Sequence, residues 1–372
     1  MRRILHVMAD GSIGGGASVI LALGTESIDR GLEVHLLTDQ RSPLVALARE
    51  AGFTVHEAPF FVNRSWLRAR RVTATVIADV APDVIHVHGA RALFDVGRVL
   101  GSPVVYTVHG YHGLRRQGWR RRVFIITERH QTASVAAQTF VSDGDRAMAE
   151  RFGLLANGST SIVIRNAVAS AQRSVRDLDR HPLVVFVGRL VEVKDPALAA
   201  MTFARLAGAG IACRLVGDGP MRDRVDAILA TAQTVVSPPE ALGQLSPHEV
   251  AALMSSASIL LMTSKWEGMP MVALEAMANG LPVVCVRYDG VEHTVRDEIN
   301  GLIVDSRQPD AIADAVIGLL ANPARFRKLS AGALATAQGN VGKDTMMNSY
   351  HRLYDQVGTG MAGEGEVHKS AF

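Results

Sequence analysis

The chain has 372 residues, of which 48% are hydrophobic, 20% charged and 5% aromatic. It is therefore long enough for two domains and too apolar to be disordered. Two cysteines, Cys213 and Cys285, give neither a disulfide framework nor a metal-ligand spacing. The apolar stretch near the N-terminus is too short for a signal peptide, and no run reaches membrane-spanning length. These features predict a cytoplasmic protein.

Apolar runs of strand length alternate with helical stretches along the whole chain. Strands separated by helices of 10–15 residues indicate βαβ units and parallel sheets. Two sets of about six predict two doubly wound sheets rather than one barrel. The first-half strands are 4–8, 34–37, 84–88, 104–108, 139–141 and 162–164, with helices at about 17–30, 43–51, 66–80, 90–99, 119–137 and 143–152. The second-half strands are 183–187, 213–216, 234–236, 259–262, 283–286 and 301–304, with helices at about 195–208, 219–230, 246–255, 270–279, 291–296 and 309–320.

Residues 167–182 lack apolar periodicity and end in Pro182, which predicts an interdomain linker. The domains are then 1–170 and 171–342, both Rossmann-like and of the α/β class. A last helix at about 323–356 is expected to break at 340–342. The Gly-rich tail, 357–372, is predicted to be disordered.

The first glycine loop, DGSIGGGAS at 10–18, follows the first strand and precedes a helix. Such a loop lets the backbone approach an anion at a helix N-terminus. The loop departs from GxGxxG, although Asp39 ends the second strand where a dehydrogenase holds a ribose. A nicotinamide site and a plain tight turn both remain open for this half alone.

The second half carries a denser set of polar motifs. Arg189 and Lys194 follow a strand in VGRLVEVKD, and a guanidinium beside an ammonium suits a diphosphate. A second Gly-rich turn, GDGP, begins at Gly217. Glu267 and Glu275 then lie eight residues apart around a helix start. If fully helical, that spacing spans about 12 Å, wider than the carboxylate pair of a glycoside hydrolase, which predicts two contacts along one elongated ligand.

Together these motifs resemble the retaining GT-B glycosyltransferases of family 4 over most of the chain. The family's E-x7-E motif matches Glu267 through Glu275, and its R-x4-K clamp matches Arg189 and Lys194. Its glycine loop matches Gly14, Gly15 and Gly16, its cleft histidine matches His109, and VIxN matches 163–166. The chain departs from the family's Asn-Gly-Val-Asp, having Asn166-Ala167-Val168-Ala169 instead. His109 is followed by Gly110, where the family commonly has an acid.

The resemblance implies two Rossmann-like domains with the active site in the cleft between them. The first domain would bind the acceptor, and a helix at about 343–356 would cross back to it. The second domain would bind the nucleotide sugar. No metal and no cofactor is implied, and no protein nucleophile. The implied catalytic residues are His109, Arg189, Lys194 and Glu267, and the implied donor-binding residues are Gly15, Gly16, Gly217, Leu242, Gly268, Met269, Pro270, Met271 and Glu275.

The resemblance also implies roles for these residues. Glu275 would hold the ribose hydroxyls, and Glu267 with the backbone near Gly268 and Met269 would meet the transferred sugar and phosphate. Arg189 and Lys194 would neutralise charge on the leaving diphosphate, a form of electrostatic stabilisation. His109 would position the donor sugar.

Two other motifs suggest a metal but have simpler interpretations. Asp143-Gly144-Asp145 spells a DxD sequence, yet it lies at the head of a predicted helix, where acids favour the dipole and the cap. His86 and His88 share one face of a strand, but no cysteine or carboxylate partner is near in sequence. We interpret them as buried, hydrogen-bonded histidines.

Positive charge is concentrated in the first half. Residues 1–170 hold 20 arginines, no lysine and 14 acidic residues, whereas the remainder is net negative. A run of arginines around Trp119 comprises Arg115, Arg116, Arg120, Arg121 and Arg122, with Arg64, Trp66, Arg68, Arg70 and Arg71 in the same half. A solvated face is one interpretation. Arginine with interfacial tryptophan also suits an anionic membrane surface or a pyrophosphate-linked lipid, and no nucleic-acid-binding motif is present.

The sequence thus predicts a metal-independent, retaining hexosyltransferase that uses a UDP- or GDP-sugar. The acceptor would be a saccharide or a lipid-linked molecule in cell-surface polysaccharide or glycolipid assembly. The protein would be cytoplasmic, with peripheral association with the inner membrane face as a further hypothesis. Three alternatives remain: a nucleotide-sugar 2-epimerase of the same fold, an NAD-dependent dehydrogenase, and a two-domain binding protein.

Overall fold

The computed structural model describes residues 2–11, 14–60, 66–97, 101–156, 158–168, 174–178, 181–232, 237–339 and 342–358. The chain forms two compact units. One runs from the N-terminus through Asn166 and includes the C-terminal segment that begins at Asp344; the other is Ala167–Lys343. Parts of the predicted linker, the strand predicted at 234–236 and most of the predicted tail lie outside the described residues.

The first unit contains a seven-stranded parallel sheet in the order β3-β2-β1-β4-β5-β6-β7. Its central strands are buried along their whole length, as expected where helices cover both faces of a parallel sheet. The strands are β1 (Arg3–Met8), β2 (Glu33–Asp39), β3 (Thr54–Ala58), β4 (Val84–His88), β5 (Val104–Val108), β6 (Ala137–Phe140) and β7 (Thr160–Val163). The helices are α1 (Gly15–Asp29), α2 (Leu44–Glu50), α3 (Trp66–Val80), α4 (Ala90–Val96), α5 (Trp119–Thr132) and α6 (Asp143–Arg151), with a 3-10 turn at His112–Arg115.

The second unit repeats this winding with six parallel strands in the order β10-β9-β8-β11-β12-β13. Its strands are β8 (Leu183–Val187), β9 (Ala212–Val216), β10 (Glu240–Gly243), β11 (Ile259–Met262), β12 (Val283–Val286) and β13 (Gly301–Val304). Its helices are α7 (Pro196–Gly208), α8 (Arg222–Ala230), α9 (Pro247–Ser256), α10 (Met271–Ala278), α11 (Pro309–Leu320) and α12 (Pro323–Gly339), with a 3-10 turn at Val291–His293. In both units the strand order reverses beside the first strand, and ligands of open α/β sheets bind at that point.

The last helix, α13 (Lys343–Gly358), belongs to the first unit. It buries Tyr350 and Tyr354 completely, and the Tyr354 hydroxyl is 2.6 Å from Nδ1 of His86 on β4. The helix predicted at about 323–356 is divided into α12, which ends at Gly339, and α13, which begins at Lys343. Of the expected break at 340–342, Gly342 is not helical, and the other two residues lie outside the described part of the chain.

Some predicted elements were wrong. Strand β3 was missed because Thr54–Ala58 has few apolar residues and occupies the sheet edge. The helix predicted at 119–137 ends at Thr132, since 137–140 forms β6. The helix predicted at 291–296 is only the short 3-10 turn.

Candidate functional site

In the second unit, the loops after β8 and β11 bring two predicted site residues into contact. Lys194 Nζ lies 2.5 Å from Glu267 Oε1, and Ser264 Oγ donates to the same oxygen at 2.6 Å. The two side chains are mostly buried, with exposed fractions of 23% and 12%. Low exposure strengthens the Coulombic attraction between the two charges relative to that in solvent. These loops therefore form a built polar site at the switch point of the sheet.

Residues that sequence reasoning missed hold these two loops together. Thr263 Oγ1 donates to the backbone carbonyls of Lys194 and Asp195, at 3.0 and 2.9 Å. Asp195 has a left-handed conformation, with φ of 47°, which costs free energy in a residue other than glycine. Arg307 Nη2 fixes it by donating to Asp195 Oδ2 at 2.8 Å and to the Thr263 carbonyl at 2.6 Å.

The GDGP turn is packed against the loop after β8. A Cβ atom on Gly217 would lie 1.9 Å from the Gly188 carbonyl oxygen, and one on Gly219 would lie 2.7 Å from the Leu190 carbonyl oxygen. Both glycines also have positive φ. Gly217 N donates to the Gly243 carbonyl at 2.7 Å, next to Leu242, which is exposed on edge strand β10.

Glu275 lies inside α10, eight residues after Glu267 in the chain. Pro270 is the extended N-cap of this helix, and Met269, Pro270 and Met271 are buried, whereas Gly268 is half-buried. Burial raises the pKa of the Glu275 carboxyl above its usual range. The position suits a carboxylate that completes its hydrogen bonds with a ligand.

Arg189 lies in the same loop as Lys194, two residues after the end of β8, and its side chain is exposed. Its backbone carbonyl accepts a hydrogen bond from Val191 N at 2.9 Å. The second unit therefore groups Arg189, Lys194 and Glu267 on two adjacent loops.

In the first unit, the glycine loop leads directly into α1. Gly14 is the N-cap of α1, and Gly15 and Gly16 are its first residues. A Cβ atom on Gly16 would lie 3.1 Å from Met8 Cε and about 4 Å from the His109 ring. The loop and His109 are therefore neighbours, as two parts of one site should be.

His109 is the end of a chain of histidines. His88 Nδ1 lies 3.1 Å from His109 Nε2, and His88 Nε2 lies 3.1 Å from His6 Nδ1. His86 contacts the Tyr354 and Thr107 hydroxyls, at 2.6 and 2.7 Å. The interpretation of His86 and His88 as buried, hydrogen-bonded histidines is thus confirmed. Strand β1 also places His6 beside them.

The ring nitrogens of His6, His86 and His88 lie close enough to hold a metal ion. Burial lowers the pKa of His6 to about 3 and those of His86 and His88 well below 6.5, so all three are neutral at neutral pH. Neutral imidazoles can bind zinc. A metal would have to displace hydrogen bonds already made by these rings, so the hydrogen-bonded chain describes the cluster better.

Asp143 and Asp145 occupy the first turn of α6, as their capping interpretation predicts. Ser142 is the N-cap, and its Oγ accepts from Asp145 N at 3.1 Å and donates to Asp145 Oδ2 at 2.8 Å. Asp143 forms an ion pair with Arg165. Asp39 accepts from Arg41 N at 3.0 Å, a turn contact at the position where the dehydrogenase alternative would place a ribose.

Two doubly wound parallel-sheet units, with polar loops at the carboxyl ends of their strands, define the GT-B class of α/β protein. Solved structures share this fold. Anabaena Alr3699/HepE in complex with UDP-glucose matches with a TM-score of 0.80 at 16% identity, covering 96% of this chain and 100% of that one. WaaG, a glycosyltransferase involved in lipopolysaccharide biosynthesis, matches with a TM-score of 0.71 at 15% identity, covering 93% and 98%.

The sequence comparisons identify the family within that class. The family described as Glycosyltransferase Family 4 matches residues 13–171, and that described as Glycosyl transferases group 1 matches residues 170–334. The chain belongs to the GT-B glycosyltransferases of family 4 and is a glycosyltransferase.

Individual relatives match over nearly the whole chain. It is 26% identical to the 2-deoxystreptamine N-acetyl-D-glucosaminyltransferase of Streptomyces fradiae, over 95% of this chain and 93% of that protein. It is 28% identical to the D-inositol 3-phosphate glycosyltransferase of Frankia alni, over 88% of this chain and 91% of that protein.

Proposed function

We propose that this glycosyltransferase moves a hexosyl group from a UDP- or GDP-sugar to a saccharide or lipid-linked acceptor, with retention of configuration and without a metal ion. The Lys194–Glu267 contact carries this proposal. Lys194 offers an ammonium group at the switch point, where its charge stabilises a departing diphosphate. Arg189, on the same loop, supplies a planar fork of donors for phosphate oxygens.

Glu275 supports a nucleotide donor. Ribose hydroxyls would donate to a carboxylate whose pKa is raised by burial, and each such charged hydrogen bond contributes about 1.5–3 kcal/mol. Anabaena Alr3699/HepE, which shares this fold, has been solved in complex with UDP and glucose and in complex with UDP-glucose. We place the nucleotide sugar on the second unit and the acceptor on the first, with His109 assisting the transferred sugar.

The donor is tested by thermal shift with UDP-, GDP- and ADP-sugars on the wild type, Lys194→Ala and Lys328→Ala. Lys328 is an exposed lysine on α12 and serves as the matched control. A donor at 100 times its Kd adds about 2.7 kcal/mol to stability. We expect this shift with a UDP- or GDP-sugar in the wild type and Lys328→Ala, and a smaller shift in Lys194→Ala. Equal shifts in all three proteins would contradict the role of Lys194.

The reaction itself is tested by proton NMR of the product, whose anomeric configuration should equal that of the donor. Activity should survive EDTA, because Arg189 and Lys194 supply the positive charge at the diphosphate. Loss of activity in EDTA and its recovery with Mg²⁺ or Mn²⁺ would overturn the metal-free proposal. An epimerised free sugar nucleotide would instead support the 2-epimerase alternative.

We also propose that α5 docks the protein on an anionic membrane surface. None of the helices within the described residues is long and apolar enough to cross a membrane, so the contact would be peripheral. Trp119, Val123 and Ile126 are exposed at 70%, 49% and 67%, and their i, i+4, i+7 spacing places them on one helix face. All five arginines of the run, Arg115, Arg116, Arg120, Arg121 and Arg122, are exposed as well.

This combination of an apolar stripe and flanking arginines is typical of interfacial helices. A shallow, open surface lined by Arg116, Gln117, Trp119 and Arg120 lies at the start of the helix. Arg64, which the sequence placed in the same basic group, lies outside the described residues. A lipid-linked acceptor would be reached most readily from such a position.

A further inference from the structure

In the first unit, burial and neutrality of the linked histidines determine which ring nitrogen donates and which accepts each hydrogen bond. We propose that His6 and His88 are positioning residues that hold His109 as the Nδ1–H tautomer. His6 donates from Nδ1 to His88 Nε2, and His88 donates from Nδ1 to His109 Nε2. The role of His109 in transfer rests on the proposed function, but the tautomer does not.

His6, His88 and His109 form a line of three hydrogen-bonded rings. The two contacts, His6 Nδ1 to His88 Nε2 and His88 Nδ1 to His109 Nε2, are both 3.1 Å, which is hydrogen-bond distance. His6 and His88 are buried on adjacent parallel strands β1 and β4. The backbone register therefore fixes the spacing of the two rings.

The imidazole rings of His6 and His88 are neutral at neutral pH. A neutral imidazole has one N–H donor and one acceptor nitrogen. Burial lowers the pKa of His6 to about 3, with the nearby His351 adding to that effect, and lowers the pKa of His88 well below its usual value. A neutral ring therefore donates from one nitrogen and accepts at the other. The two hydrogen bonds can run from His6 through His88 to His109 or in the reverse direction.

The outer ring nitrogen of His6 determines the direction of these hydrogen bonds. His6 Nε2 is buried, and no hydrogen-bond partner lies near it in the part of the chain that the structure describes. If His109 donated towards His6, this nitrogen would carry a buried N–H without an acceptor, an arrangement that proteins rarely retain. If His6 instead donates towards His109, His6 Nε2 carries only a lone pair. With this direction, both His6 and His88 are Nδ1–H tautomers.

The consequence concerns what His109 can do. Its Nε2 accepts from His88, so its Nδ1 carries the proton and can only donate. A donating Nδ1 suits the oxygen atoms of a sugar or phosphate, whereas an accepting Nδ1 would suit a hydroxyl proton. The tautomer of His109 therefore follows from the order of the hydrogen bonds that link the three rings.

The tautomer can be measured directly by NMR of the full-length protein with ¹⁵N-labelled histidine, without any ligand. Ring ¹⁵N shifts and long-range couplings identify which nitrogen carries the proton. We expect Nδ1–H for His6, His88 and His109 in the wild type. An Nε2–H tautomer at His109 would overturn the proposal, whether or not the protein uses a nucleotide sugar.

Variants of His88 separate donation from ring volume. The amide of His88→Asn can replace the Nδ1 donor, so His109 should stay Nδ1–H and kcat should remain within a few-fold of the wild type. His88→Phe keeps an aromatic ring but cannot donate, so His109 should become a mixture of tautomers. We then expect kcat to fall at least tenfold at nearly constant donor KM, corresponding to about 1.4 kcal/mol.

Two comparisons guard against a purely structural effect. His56→Phe breaks a second histidine pair, His35–His56, which is 3.0 Å apart on strands β2 and β3, and should leave the His109 tautomer unchanged. Melting temperatures identify variants that fail to fold. If His88→Phe does not fold, the His109 tautomer measured in the wild type and in His88→Asn still tests the proposal. Unchanged His109 shifts in a folded His88→Phe would show that the chain does not set the tautomer.

Discussion

Lys194 and Glu267 are 73 positions apart in the chain, yet their charged atoms lie 2.5 Å apart. The sequence indicated each residue through its own motif, but it could not indicate the contact. The contact arises because the loops after β8 and β11 follow adjacent strands of one parallel sheet. The strand order that brings them together is a property of the whole unit rather than of either motif.

We expect Lys194 and Glu267 to act as a coupled pair in steady-state kinetics. Lys194→Ala should lower kcat by about 10²–10³, as the loss of other charge-stabilising donors does. Glu267→Gln should also lower kcat, and the double variant should lose far less than the product of the two single losses, because they share one contact. Donor saturation kinetics on the three variants measure this. Losses that multiply would show independent roles.

Glu275 should behave differently from that pair. Its proposed partners, the ribose hydroxyls, do not change during transfer, so Glu275→Ala should weaken donor binding in the ground state and transition state alike. We expect donor KM to rise roughly 10–100-fold, the equivalent of one charged hydrogen bond, with kcat changed much less. Glu150→Ala, at an exposed position of α6, is the control. An unchanged donor KM in Glu275→Ala would remove it from the donor site.

Glu128 on α5 is a buried carboxyl outside the proposed site. Tyr106 donates to its Oε1 at 2.6 Å, and burial raises the pKa of Glu128 to about 7 from 4.5. Tyr111 and Asp145 interact electrostatically with the same cluster of buried groups. Neither residue supplies a positive charge that would stabilise ionised Glu128. Between pH 4.5 and about 7 the folded state therefore binds more protons at Glu128 than the unfolded state does.

The free energy of unfolding should consequently fall as pH rises through that interval, by about 3 kcal/mol from this residue. Glu128→Gln stays uncharged, so its stability relative to the wild type should increase by that amount across the interval. Urea denaturation at a series of pH values checks this, with Glu150→Gln as a control that should follow the wild-type slope. A constant difference between Glu128→Gln and the wild type would contradict it.

Helix α5 should bind anionic vesicles through two contributions that can be measured separately, the charge of its arginines and the apolar contact of Trp119. Each arginine near an anionic surface contributes about 1 kcal/mol. Changing Arg120, Arg121 and Arg122 together to glutamine should weaken binding to phosphatidylglycerol vesicles roughly 100-fold and flatten its salt dependence. Trp119→Ala should weaken binding while leaving the salt dependence unchanged, because it removes only apolar contact.

The control for this experiment carries the same charge change elsewhere. Three arginines of the second unit, the exposed Arg205 and Arg327 and the half-buried Arg214, are changed together to glutamine and should leave vesicle sedimentation intact. Equal losses in both triple variants would indicate a nonspecific effect of net charge. Binding that is indifferent to every variant and to salt would show α5 to be a solvated face.

The elements that the sequence predicted well are those with strong local signals. The strands β4, β5, β8, β11, β12 and β13 match their predicted bounds, because mostly apolar runs of strand length indicate the strands of a parallel sheet. Helix α3 also matches its predicted bounds. Strand β3 lacks such a run: Thr54, His56 and Glu57 are polar, and pairing with β2 rather than burial defines it. Edge strands of this kind need tertiary context.

The candidate site shows the same division. Glycines and charged residues in strand-to-helix loops were identifiable because their chemistry is unusual at those positions. Thr263, Ser264 and Arg307 were not, since their role is to bond one loop to another, and His6 appeared to be an ordinary residue of an apolar strand. Sequence patterns thus indicated the groups that would meet a ligand, but not the groups that hold them.

At the scale of the whole molecule, α13 follows the second unit in the chain but packs against the first unit. Five of its side chains are at most 3% exposed: Met346, Met347, Tyr350, Leu353 and Tyr354. At about 1.5–3 kcal/mol for each buried side chain, their upper total of roughly 8–15 kcal/mol is comparable to the stability of an entire domain. The first unit should therefore depend on a helix that follows the second unit in the chain.

Removing the chain from Lys343 onward should selectively destabilise the first unit. Hydrogen exchange followed by mass spectrometry should show β1 and β4 losing protection, because α13 covers Ser27, His86 and their neighbours, while β8 and β11 keep theirs. A chain ending at Gly358 retains α13 and should exchange like the wild type. Tyr354→Phe removes only the hydroxyl at His86 and should cost about 1 kcal/mol. Full protection of β1 and β4 without α13 would mean that the first unit folds without it.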